Sequence, residues 1–271
     1  MAARHAQSRA RRRLSRRSKA VSSFALTTLV GTALWAWPAS GDDHDSLTDA
    51  RNGTPKSAAG PETPASPRTA PNAAPAPRSI PGLSEATRKQ IPANSRQALI
   101  VTGKSNDSYD SRVVLYTRAQ RSGDWRPGPS WPAHNAARGW TDDHRYGDLR
   151  SPEGVYTLTD AGGRLAPPEG TKLPYDRNGS FVASGTGVEG EPLAGAFDYV
   201  IAINYNRVAG TSPLDQQRPQ GPGKGGGVWL HVDHDGPTQG CVSLKPGAMR
   251  ELLRTLDPAL HPVIVMGPAG H

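Results

Sequence analysis

The sequence predicts a mainly β domain with one or two short helices, preceded by a disordered N-terminal region. Three observations predict it. Short apolar runs bounded by turn residues recur from about residue 97 onward. Only one late stretch spaces its apolar residues as a clear helix does. Strands and helices do not alternate, so the pattern of a parallel α/β sheet is absent. The 30 Gly and 26 Pro among 271 residues fit a loop-rich β protein with a disordered portion.

The chain divides at residues 1–40, 41–95 and 96–271. Residues 1–40 carry eight basic side chains, from Arg4 to Lys19, and no acidic ones. An apolar run follows, Val21 to Trp37. A basic stretch ahead of an apolar run reads as an export signal or an N-terminal membrane anchor. The body is then expected outside the cytoplasmic membrane, touching it only through that segment. The net charge of +8 equals the leader's own, because the rest holds 24 basic and 24 acidic residues. A balanced body has no global electrostatic reason to bind nucleic acid. Residues 41–80 are rich in Pro, Ala, Ser and Thr, with almost no large apolar side chains. Such a segment buries too little surface to offset its ordering entropy, so it reads as a disordered tether.

The elements follow in order. Ser84 is positioned to cap a short helix over Leu83–Asn94. Ala98–Thr102 and Arg112–Thr117 read as strands, and Ser122–Trp125 as a turn leading into a strand that ends near Trp131. Trp125, Trp131 and Trp140 read as packing residues. Gly154–Leu158 is the next strand. Ala161–Phe181 is broken by Gly162-Gly163 and Pro167-Pro168 and reads as a loop, a candidate flap over a cleft. Tyr199–Tyr205 is a clear strand. Gly221–Gly227 reads as a flexible connector and not a P-loop, since no Lys-Ser/Thr pair opens a helix. Met249, Leu252, Leu253 and Leu256 give Pro246–Leu256 one apolar helix face. His261–Met266 closes the domain as a strand.

Between connector and helix lies Val228 to Leu244, which holds the single cysteine. It reads as strand, turn-rich loop, strand, with His231 near the end of one strand and Cys241 at the start of the next. A base beside a thiol generates the thiolate that attacks carbonyls. Gly240 allows close approach to backbone N–H groups, the material of an oxyanion hole. The alternative is a small buried hydrophobe without chemistry. A lone cysteine in an exported chain has no internal disulfide partner, which favours a reactive thiol. A metal site from His231, His234 and Cys241 is a further alternative. Residues three apart on a continuous strand point to opposite faces, which counts against it.

Thr238-Gln239-Gly240-Cys241-Val242-Ser243-Leu244, with Leu230-His231 upstream, resembles the signature of the L,D-transpeptidase (YkuD) catalytic domain. Gly147-Asp148-Leu149-Arg150-Ser151-Pro152-Glu153-Gly154-Val155-Tyr156 resembles a second motif of that family, and Ile203-Asn204-Tyr205-Asn206 a strand along its cleft. Gln239 and Ser243 stand where many members have His and Asn or Arg, and the loop from His231 to Cys241 is short. The chain therefore resembles a compact subgroup.

The resemblance implies a YkuD-type β-sandwich with a long cleft. It implies a cysteine acyltransferase in which Cys241 is the nucleophile, His231 the base and Gly240 part of the oxyanion site. Tyr205, Asn206, Thr238, Gln239 and Ser243 are the substrate-binding candidates. The expected partners are peptidoglycan stem peptides joined by 3→3 crosslinks, and a carbapenem as a covalent adduct on Cys241. No cofactor and no metal are implied, and a monomer is expected. A backbone carbonyl, rather than Asp233 or Asp235, is expected to orient His231. An L,D-carboxypeptidase with the same residues and a non-catalytic wall-binding module are the alternatives.

Overall fold

The computed structural model describes residues 79–271. The leader over 1–40 and the tether from 41 to 78 lie outside the described residues. Helix α1 (Glu85–Gln90) is capped as its sequence predicts: the Ser84 hydroxyl accepts a hydrogen bond from the Thr87 N–H at 3.0 Å. It stops short of Asn94, because Pro92 forces Ile91 into extended backbone. Ile80 and Leu83 are buried against Ala98, Ile100, Trp125, Val263 and Val265. The packed unit thus starts ahead of residue 96, where apolar side chains 80 and 83 cover one face of the sheet.

Strands β1 (Gln97–Gly103), β2 (Asp110–Thr117) and β3 (Arg126–His134) form an antiparallel meander. A bulge between Val114 and Tyr116 shifts the register to β3. Two short strands, β4 (Trp140–Thr141) and β5 (Ser151–Pro152), pair with each other apart from the main sheet. Then come β6 (Gly154–Thr157), β7 (Ala161–Gly163), β8 (Tyr175–Arg177), β9 (Val200–Ala202), β10 (Trp229–Val232) and β11 (Val242–Leu244). Helix α2 (Pro246–Thr255) and β12 (Val263–Pro268) complete the domain.

Ten of these strands hydrogen-bond into one sheet, in the order β6-β12-β1-β2-β3-β11-β10-β9-β7-β8. The fold is mainly β as expected, but its layers are the two arms of one continuous sheet. The sheet curls back on itself: the Asn204 N–H, just past β9, donates to the Thr157 carbonyl at the end of the edge strand β6 (3.1 Å). Inside the curl, Leu99, Leu115, Ile201, Leu230 and Leu244 share one core with Met249, Leu252, Leu253 and Leu256 of α2 and its C-terminal cap. β1 is buried on both faces, with Leu99 and Val101 in this core and Ala98 and Ile100 in the second cluster. That explains its unbroken apolar run.

Two expectations change. The segment 161–181 is not a free flap: β7 and β8 pair with each other in parallel, and β7 joins β9. The segment that walls the cleft is the next one, 183–197. The connector 221–227 is also fastened down. Asn206 Nδ2 donates to the Gly221 and Gly225 carbonyls (3.0 and 2.7 Å), and the Tyr205 hydroxyl donates to the Lys224 carbonyl (2.8 Å). Glycine is required here, since residues 225, 226 and 227 all have positive φ (67°, 142° and 68°).

Candidate active site

The local fold of the site follows from an unusual connection. β10 and β11 are parallel neighbours, pairing Leu230 with Val242 and His231 with Ser243. Parallel neighbours normally need a crossover of roughly a dozen residues or more. Here residues 233–241 alone make the return, so they must fold back over the strand ends. Cys241 then sits level with Trp229, one side-chain repeat before His231 on the same face, about 7 Å along the strand. The Trp229 N–H points at Cys241 Sγ (3.4 Å), and Sγ lies 3.6 Å from the Gly227 carbonyl.

Three anchors hold the loop. The Asp233 N–H donates to the Leu244 carbonyl (2.7 Å), and the Thr238 N–H to the Asn135 carbonyl (3.0 Å). The Thr238 hydroxyl donates to the Cys241 carbonyl (2.6 Å) and accepts from the Gly240 N–H (3.3 Å). The fully buried Ser151 hydroxyl also reaches the Cys241 carbonyl (3.3 Å) while accepting from the Ala136 N–H (3.0 Å). The 147–156 motif thus braces the backbone of the 238–244 motif.

His231 is 3% exposed. Its Nδ1 lies 2.9 Å from the Val232 carbonyl. A carbonyl only accepts, so Nδ1 carries the proton and Nε2 is left as the basic nitrogen. Burial pulls its pKa down to about 4 against the opposing effect of that hydrogen bond. Packing around Sγ pushes the Cys241 thiol up to about 11, with the Trp229 N–H opposing. Asp233 does not touch the ring. Burial disfavours its charge, but hydrogen bonds from His134 and Lys245 outweigh that and hold it well below the usual carboxylate range. Asp235 pairs with Lys245.

Cys241, His231, Gly240, Thr238 and Gln239 all line one cavity of about 370 Å³. Residues from segment 183–197, from 144–147 and from 225–228 complete the lining. A thiol, a neutral imidazole with its basic nitrogen free of the backbone, and a cleft of this size suit acyl transfer through a thioester.

Over residues 95–265 the chain matches the model of the L,D-transpeptidase catalytic domain. The chain belongs to that family. No curated protein sequence matches it.

Of the positions read from the sequence of this L,D-transpeptidase domain, Tyr205, Asn206 and Ser243 do not line the cavity. Tyr205 and Asn206 are buried and spend their polar atoms on the 220–225 loop. Ser243 is fully buried and donates to Asp233 (3.1 Å).

Among the described residues, no group of three His, Cys, Asp or Glu side chains is arranged to hold a metal. The strand argument separating His231 from His234 fails, however. β10 ends at Val232, the chain turns through Asp235 with φ of 63°, and the two rings stack at 5.6 Å and 11°. His234 Nδ1 comes within 3.2 Å of Glu191 Oε1 on the 183–197 segment, though neither atom has a well-aligned partner.

Sequence reasoning missed His144 altogether. It is 6% exposed, lines the cavity, and lies four residues ahead of Asp148. That spacing, just before the Gly147-Asp148 pair, was the available signal.

Proposed function

We propose that the domain is an exported cysteine acyltransferase that builds 3→3 crosslinks between peptidoglycan stem peptides. One observation carries the reading: Cys241 Sγ and the buried His231 share a cavity, and the Val232 carbonyl fixes the tautomer that leaves His231 Nε2 basic. In the first step Nε2 takes the thiol proton while Sγ attacks the carbonyl of the third, diamino residue of a stem tetrapeptide. The Cys241 N–H is the oxyanion donor this arrangement leaves free, and the Gly240 N–H, held by the Thr238 hydroxyl, fixes the backbone beside it. The bond to the fourth-position D-Ala breaks, its amine takes the proton from His231, and a thioester remains. In the second step the side-chain amine of another stem attacks the thioester and releases the thiol. Thr238 and Gln239 are the substrate contacts supported by the cavity lining.

The basic stretch and apolar run of residues 1–40 support action outside the cytoplasmic membrane, with contact to the membrane through that segment alone. The Pro- and Ala-rich sequence of residues 41–78 supports a tether that reaches into the wall. A monomer suffices, since one chain supplies both thiol and imidazole.

Intact-protein mass spectrometry with meropenem tests the nucleophile. A single covalent adduct is expected on the unmodified protein and none on Cys241→Ala. A tetrapeptide donor with an amine acceptor tests the reaction. D-Ala release with a crosslinked product supports the transferase; release with only shortened peptide makes the enzyme an L,D-carboxypeptidase. No D-Ala release at all would end the catalytic reading and leave a wall-binding module.

A further inference from the structure

The cavity holds a second imidazole that the scheme above does not use. His144 is buried to 94% and lines the cavity together with Gly147, Gly225 and Gly240. Its ring lies between the connector and the residue before the cysteine. A methyl group added at Gly225 would sit 2.9 Å from His144 Nε2, and one at Gly240 would sit 3.5 Å from Cε1. Nε2 makes no hydrogen bond among the described residues, and it lies close to Gly225 and to Gly240, the residue before the cysteine.

The other ring nitrogen faces a carboxylate. Nδ1 lies 3.0 Å from Asp148 Oδ1, close in distance but bent away from ideal alignment. Such contacts commonly tighten when substrate fills a site. Asp148 is held for this contact: it accepts from the Arg150 N–H (2.9 Å) and the Arg145 N–H (2.7 Å). The turn it closes keeps Leu149 at φ of 60°, a strained value for a leucine. Tyr205 packs edge-on against the His144 ring at 5.4 Å, and its hydroxyl approaches the His144 carbonyl (3.3 Å). The ring is therefore clamped on three sides with only Nε2 left to the cavity.

We propose that His144, oriented by Asp148, is a further catalytic residue and serves the second half of the reaction. The proposal rests on the acyl-transfer reading. With Nδ1–H turned to Asp148, Nε2 is a proton acceptor at the Gly240 side of the thioester. The incoming amine attacks the thioester carbon and loses one proton to Nε2. The C–S bond breaks, the new amide bond forms, and His144 returns the proton to the departing thiolate. His231 serves Cys241 in the first half. Two imidazoles lining one cavity with the thiol divide the work.

The test uses the full chain with two readouts. Acylation is followed by intact mass after mixing with a tetrapeptide donor in the absence of amine. Transfer is followed by crosslinked product with a saturating amine acceptor. His144→Gln is expected to slow transfer about 100-fold, the range of a lost general base, and acylation by less than about tenfold. Acyl-enzyme then accumulates during turnover. Asp148→Asn should shift the same ratio in the same direction by a smaller factor, and it serves where the first variant fails to fold. Equal slowing of both halves, or of neither, overturns the role of His144. If the unmodified chain neither acylates nor transfers, it is the acyltransferase reading that has failed.

Discussion

Cys241 and His231 rest as a neutral pair between about pH 4 and pH 11, because both are desolvated and neither charge is favoured alone. Forming the separated thiolate and imidazolium across that gap costs roughly 10 kcal/mol before their mutual attraction is counted. A turnover near one per second tolerates a barrier of about 17 kcal/mol. General-base removal of the proton during attack is thus energetically open, and a standing ion pair is not needed. Alkylation by iodoacetamide should therefore be slow at pH 7 and rise about tenfold per pH unit toward pH 10, since only the thiolate reacts. A rate already flat above pH 6 would mean a standing thiolate and would rule out the neutral pair. At this scale the sequence was direct about identity: His231, Cys241 and Gly240 were legible as a constellation. It was silent about His144, because nothing local says that a histidine 97 residues upstream closes the same cavity.

The loop from Asp233 to Cys241 is the element that makes the site. It accomplishes a parallel crossover in few residues, so side-chain hydrogen bonds stand in for regular structure. Thr238 is the hinge of that arrangement, with its hydroxyl on the Cys241 carbonyl and the Gly240 N–H. Thr238→Val keeps the shape and removes both bonds, at about 1–3 kcal/mol. Thermal unfolding should fall by about 3–10 °C. Acyl transfer should fall further than stability explains, since the backbone around the thiol loses its brace. Retention of full activity would show that Ser151 alone fixes the Cys241 carbonyl. The sequence marked this loop as a turn-rich link but left the direction of the second strand open. Nor did it show that Ser151 would meet Cys241: the two motifs were read as separate pieces, and only pairing across the fold joins them. The flap was misplaced for a similar reason. Gly and Pro break strands into short pieces as readily as they make loops, so 161–181 read as irregular while it holds the last two short strands of the sheet.

At the scale of the molecule, the burial of a neutral histidine links the fold to pH. His231 is held below its unfolded pKa, so the unfolded chain binds the extra proton. Its contribution to stability is fully present above about pH 6.5 and is lost as pH falls toward 4. His134 works the other way: its hydrogen bond with Asp233 raises its pKa, which favours the folded state as pH falls. Comparing variants separates the two. Between pH 7 and pH 4.5 the unmodified protein should lose roughly 2 kcal/mol more in urea unfolding than His231→Gln. An equal loss in both would place the titration elsewhere. The sequence by itself determined the β class, the helix face of 246–256, the cap at Ser84 and the choice of Cys241 and His231 as candidates, which share one cavity. These are set by residue type and short-range periodicity, which act within a few positions. Tertiary structure alone decided that one sheet curls into both layers, that β10 and β11 run parallel, that Tyr205 and Asn206 support a loop, and that His144 faces the thiol's cavity. Those outcomes depend on pairings between segments distant in the chain, such as β1 with β12 and β3 with β11. That choice is made by burial of the shared core, and no local pattern encodes it.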